Sequence, residues 1–205
     1  MKKHMNKILT FVLALSMLMC MAVTASAAEI DTNGGSGSTP VSLTTTNNGI
    51  GGDGGDATPT KMSVVVPTAL PMAMSDDGTV VTATGCKIIN NSYGSVRVRT
   101  VTISAASGWN LTAFGPKASL ASEKVDSNKL GFALSIGGGQ QVQTATNEAT
   151  QQLISAPIAG CYMTGVGDTS GNTLSVEYAA IVTPLSSAVA NATVANVVFV
   201  IEWDT

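Results

Sequence analysis

Thr173-Leu174-Ser175-Val176-Glu177-Tyr178-Ala179-Ala180-Ile181-Val182 decides the fold. Leu174, Val176, Tyr178, Ala180 and Val182 take every second position, against Ser175, Glu177 and Ala179. An extended chain points successive side chains to opposite faces, so this period of two marks a strand with one buried face. The pattern recurs. Lys129 to Ile136 alternates Leu130, Phe132, Leu134 and Ile136 with Gly131, Ala133 and Ser135. Asn196 to Trp203 turns Val197, Phe199, Ile201 and Trp203 inward, and Lys61 to Val66 does the same with Met62, Val64 and Val66.

One strand breaks this rule. In Val96 to Ser104, Val96 and Val98 share a face, while Val101 and Ile103 fall in phase with Arg97 and Arg99. A regular strand cannot bury both sets on one side. The sequence therefore predicts a bulge near Arg99-Thr100, or a strand that crosses between sheets.

Polar turns separate these runs. Ser75-Asp76-Asp77-Gly78 reads as a hairpin turn in which Gly78 supplies positive φ. Asn90 to Gly94 and Gly167 to Asn172 read as turns too, and Gly137-Gly138-Gly139 ends a strand. Helix signals are nearly absent. Many short strands with polar turns describe an all-β chain, a β-sandwich or jelly-roll-like single domain over 61–205. Its length of about 145 residues suits one hydrophobic core.

The N-terminal part differs in composition. Lys2, Lys3 and Lys7 precede an apolar run from Ile8 to Val23, and Ala25 and Ala27 take the small-x-small spacing of a peptidase site. Residues 1–27 are expected to be a secretory signal peptide. The run is shorter than a spanning helix needs, so no membrane span is expected after cleavage. Residues 28–60, rich in Gly, Ser, Thr and Asn, are expected to be a flexible linker. Within it, residues 39–46 form a strand-like island with Val41 and Leu43. Such an island suits self-association, by adding a strand to a neighbouring subunit.

Export narrows the chemistry. His4, the one histidine, leaves with the leader, as does Cys20. Without imidazole there is no Ser-His-Asp or Cys-His system and no imidazole-ligated zinc. Three of ten basic residues also leave, so seven basic residues face thirteen acidic ones, a net charge of −6. With Arg97 and Arg99 as the two arginines, no nucleic-acid partner is expected. Asp53, Asp56, Asp76, Asp77 and Asp168 lie in Gly-rich loops that lack calcium-loop spacing, so no metal is expected. Glu177 and Glu202, on what read as neighbouring strands, fall on the polar phase, which disfavours a glycosidase pair. The sequence thus predicts no catalytic residue, no cofactor and no enzyme. Cys86 and Cys161 either form one disulfide or stay as two buried thiols; the sequence leaves both open.

Gly108-Trp109-Asn110-Leu111, following a β-rich run, resembles the first signature of the WxL domain. Its second Trp-x-Leu lies at the C-terminus. Here Phe199-Val200-Ile201-Glu202-Trp203-Asp204-Thr205 has the strand and the tryptophan, with Thr205 in place of leucine. The resemblance implies a secreted surface protein of Gram-positive bacteria that associates non-covalently with the cell wall. Its partners would be peptidoglycan or other surface proteins, and its binding residues Trp109, Leu111 and Trp203. The alternative expectation is a structural subunit of an extracellular fibre or surface layer, assembled by β-strand addition through 39–46.

Overall fold

The computed structural model describes residues 27–44 and 62–205, which form two facing sheets of seven strands each. The first sheet runs β1 (Ala27–Ile30), β3 (Val64–Pro67), β6 (Cys86–Asn90), β13 (Thr173–Val182), β9 (Lys129–Ile136) and β10 (Val142–Gln143). In it β8 (Asn110–Thr112) also lies along β9. The second runs β11 (Thr150–Ile154), β7 (Val96–Ala105), β14 (Ala192–Trp203), β2 (Ser36–Thr44), β4 (Leu70–Met74) and β5 (Val80–Thr82). There β12 (Tyr162–Met163) also lies along β7. The pairs are antiparallel except for β2 with β4 and β8 with β9. The chain is an all-β sandwich, as its alternation predicts.

The core is the set of inward positions. Phe132, Leu134, Val176, Val197, Phe199 and Ile201 are almost wholly buried between the sheets. The rings of Phe132 and Tyr178 stack with centroids 6.0 Å apart. Strand β9 departs from simple alternation, because Gly131 and Ala133 are buried as well. Their small side chains let the chain at Ala113 and Phe114 pack over that outer face.

The break in β7 is a bulge. Val200 of β14 faces Thr100 and Ile201 faces Val98, so Arg99 has no partner in the register. The extra residue changes the phase, and Val96, Val98, Val101 and Ile103 all become buried. The hairpin at Ser75–Gly78 forms as expected, with Gly78 at φ 78°.

The linker expectation for 28–60 needs correction. Ala27–Ile30 and Ser36–Thr44 are strands, and β2 is interior to its sheet, between β14 and β4. Residues 1–26 and 45–61 lie outside the described residues. Composition misled here because β2 is held by its backbone ladder more than by apolar side chains. Its Gly37 is also required to be small, since a Cβ there would run into Val66 and approach Ile30. Residues 39–44 therefore already sit in a sheet of their own chain.

Tyr178 ties the two sheets together. Its hydroxyl donates to the carbonyl of Pro71 at 2.5 Å and accepts the N–H of Ala83 at 3.1 Å. The Thr82 hydroxyl donates to the Tyr178 carbonyl at 2.9 Å. Burial, with the nearby Cys86 second, pushes the Tyr178 phenol well above its usual range. Burial likewise raises the Cys86 and Cys161 thiols. These acids are kept neutral in the fold, so their contribution is complete below their unfolded pKa values and lost as pH rises through that range. The urea midpoint should be level from about pH 6 to 8 and fall above about pH 9. An unchanged midpoint at pH 10 would refute this account.

Candidate binding surface at the Trp203 end

The two tryptophans lie at opposite ends of the sandwich. Trp203 closes β14 opposite Val96, where β7 begins. Trp109 lies past the other end of β7, where the Trp109 N–H donates to the Ala106 carbonyl at 3.0 Å. Ten residues of β7 at about 3.3 Å each separate the ends by roughly 30 Å. No single binding face can therefore use both rings. Leu111, the third residue singled out, is 1% exposed and belongs to the core. Trp109 is half-buried and packs against that core.

Two exposed tyrosines lie at the same end of the sandwich as Trp203. The loop after β6 brings Gly94 against the indole; a Cβ on Gly94 would lie 3.0 Å from the ring. Tyr93, the preceding residue, is 71% exposed. The loop after β12 packs against it so closely that a Cβ on Gly165 would land on the Tyr93 carbonyl oxygen. Val166 follows, its N–H bonded to the Ser92 carbonyl at 2.8 Å and its side chain exposed. Tyr162, 46% exposed, pairs in register with Arg97 on the outer face of β7.

A polar strip lies beside Tyr162 on the outer face of β7 and β14. Arg97 Nε donates to Glu202 Oε1 at 2.8 Å, and Arg97 Nη1 reaches Asp204 Oδ1 at 3.2 Å. Arg99, turned out by the bulge, lies 3.4 Å from Glu202 Oε2. The hydrogen bond to Glu202 is the main reason Arg97 holds its proton still more firmly than a free guanidinium. The bulge thus places two guanidiniums on one carboxylate on the outer face near the end of β14.

Asn90 builds this end from inside. Its buried side-chain amide donates to the carbonyls of Gly94 at 2.9 Å and Thr164 at 2.8 Å. Its Oδ1 accepts the Ser92 N–H at 2.9 Å. The backbone N–H of Trp203 donates to Asn33 Oδ1 at 2.9 Å, which anchors the turn between β1 and β2 to the same end. Sequence reasoning read Asn90 only as a turn residue. Its signal was an Asn at the close of an apolar strand, a position that exposure alone does not explain.

The other end carries an open groove of about 770 Å³. Met74, Ala121, Val182, Leu185, Asp76 and Lys117 are among the residues that line it. Lys117 is engaged by Asp77 at 3.3 Å and by the Thr79 hydroxyl at 3.0 Å. The hydroxyl of Ser75, then the amide and hydroxyl of Thr79, hold the Asp77 carboxyl well below its usual range. Asp168 is lowered in the same way by Ser170. Both carboxylates serve their own turns. Among the described residues no group of three or more His, Cys, Asp and Glu is placed to hold a metal ion.

Two further sequence expectations are settled by position. Cys86 and Cys161 are free buried thiols, so the disulfide is not formed. Cys86 lies in the first sheet, and the Cys161 carbonyl accepts the Val98 N–H of the second. Glu177 and Glu202 are not on neighbouring strands. They project from the outer faces of opposite sheets, whose backbones stand about 10 Å apart.

Comparison with known proteins finds no matching family, no matching curated protein and no matching solved structure. Among the described residues no helix is long and apolar enough to cross a membrane.

Proposed function

We propose that this chain is an exported, non-catalytic surface protein that associates non-covalently with the bacterial cell wall through its Trp203 end. One observation carries the reading. The chain has two tryptophans and three tyrosines; Tyr93, Tyr162 and Trp203 all lie at one end of the sandwich, Tyr93 and Tyr162 exposed, with Tyr162 in register with Arg97 on the outer face, where Arg97 is paired with Glu202 and Asp204. Aromatic rings with a polar rim suit a ligand that offers both apolar faces and hydroxyl or amide groups, as wall glycan does. The WxL resemblance suggests the same partner. It would use the second, degenerate signature, with Trp109 serving the core.

Co-sedimentation of residues 28–205 with isolated Gram-positive cell walls tests this. Tyr93→Ala with Tyr162→Ala is expected to lower wall affinity about tenfold, equivalent to about 1.4 kcal/mol. Both side chains are exposed, so the fold should be retained by circular dichroism. Trp109→Phe should bind as the parent does. Wild-type pelleting by the double tyrosine variant would rule the site out.

A further inference from the structure

We propose that β2 is an exchangeable arm: residues 36–44 of one copy of this chain can fill the slot between β14 and β4 of a second copy. This goes beyond wall association and does not depend on it.

The first support is the place of β2 in the sheet. It is an interior strand, antiparallel to β14 over Ala192–Val200 and parallel to β4 over Leu70–Ala73. Yet it precedes the rest of the sandwich in the chain, joined to it by residues 45–61. Apart from Val41, which is buried in the core, it carries few side chains that fix it there. Pro40, opposite Asn196, has no N–H to offer the ladder, and proline is otherwise confined to sheet edges. Gly37 contributes no side chain, and Thr39 spends its hydroxyl on the Pro67 carbonyl.

The second support is that both walls of the slot stand without β2. Strand β14 is held along its other edge by β7, from Ala195 to Trp203. The β4–β5 hairpin is pinned to the first sheet by Tyr178, through Pro71, Thr82 and Ala83. Removal of β2 leaves two anchored edges at the width of one strand. Main-chain hydrogen bonds to such edges are the basis of recognition by strand addition.

The third support is the connection. Thr44 pairs with Ala73 near the Trp109 end, whereas Met62 precedes Val64, which pairs with Ile30 and Asn90 at the Trp203 end. The two anchor points are roughly 27 Å apart along the strands. Seventeen intervening residues reach at most about 60 Å, enough for the chain's own slot or a neighbour's. The contacts made are the same in either case, so concentration decides between them. A short tether gives its own arm an effective concentration of about 1 mM, above which exchange competes. Because the arm ends at one end of the sandwich and the body begins at the other, donation propagates head to tail, and each copy both gives and receives.

The experiment uses two single variants of residues 28–205, Ser38→Cys and Val198→Cys. These positions face each other across β2 and β14, and the native thiols are buried. In an equal mixture, a disulfide between the two introduced thiols forms only when the arm of one copy occupies the slot of another. After incubation and mild oxidation, non-reducing gels and peptide mass mapping should show this heterodimer rising at least tenfold between about 10 μM and about 1 mM protein. A second variant, with residues 48–59 deleted, keeps a connection of only about 20 Å. It cannot close on itself and should elute as dimers or longer chains, even at 10 μM. Absence of the link between the introduced thiols at both concentrations would overturn the proposal. So would a monomeric deletion variant.

Discussion

Asn90→Ala is expected to destabilise the fold by about 3 kcal/mol and to loosen the Trp203 end before the rest. The Asn90 amide is wholly buried and makes three hydrogen bonds, to the Gly94 and Thr164 carbonyls and from the Ser92 N–H. Alanine deletes the partner of all three backbone groups at once. Each group left unpaired in the interior costs about 1–3 kcal/mol, and water entering the gap offsets part of the total. The loss is local because the same amide joins the loop carrying Tyr93 to the loop carrying Val166. Fluorescence separates the two ends. With Trp109→Phe in the background, the remaining Trp203 should report an unfolding step at lower urea than Trp109 does in the Trp203→Phe background. The wall association proposed above should weaken with it, as Tyr93 loses its place. A loss under about 1 kcal/mol, or coincident transitions at both tryptophans, would show that these loops are held by other contacts.

Much of the fold was legible because the inward residues of an antiparallel strand must alternate. Leu174, Val176 and Tyr178, or Val197, Phe199 and Ile201, announce a buried face without any tertiary knowledge. The bulge at Arg99 was legible for the same reason, since two apolar sets out of phase within one strand need one extra residue. Strand β2 was legible only in part: residues 39–46 read as a strand-like island, but not as an interior strand of the chain's own sheet. It is held largely by ladder bonds on both edges, which carry little side-chain signature, and its composition is that of a turn or tether. The candidate site was partly legible. Trp203 stood out by its position on the last strand, but Tyr93 and Tyr162 lie far away in sequence and reach the same end only through the β6–β7 and β12 connections. The division of the two tryptophans between opposite ends was invisible for a related reason. It follows from β7 running the full length of the sandwich between them, a long-range fact that local spacing does not encode.

Phe199→Ala is expected to be the more damaging change, at about 4 kcal/mol, and to act on the whole sandwich together. Phe199 is fully buried at the middle of β14, facing Val101 of β7 on one side and Gly37 of β2 on the other. The register sets the size of the loss. On the β2 side its neighbour has no side chain, and a Cβ at Gly37 would already collide with Val66. The strand therefore cannot supply bulk to fill a cavity left by the missing ring. Phenylalanine-to-alanine changes in cores cost about 3–5 kcal/mol, with the upper part of the range reached where the site cannot collapse. Against a total stability of about 5–15 kcal/mol, this brings such a domain close to its threshold. Because β14 carries both β7 and β2, the damage spreads to both ends. Trp109 and Trp203 should lose their native fluorescence at the same lowered urea midpoint, in contrast to Asn90→Ala. Phe199→Leu keeps most of the volume and should cost less than half as much. A Phe199→Ala midpoint near that of the parent would mean that β14 is not the strand on which the second sheet depends, and the slot beside it would then lack its fixed wall.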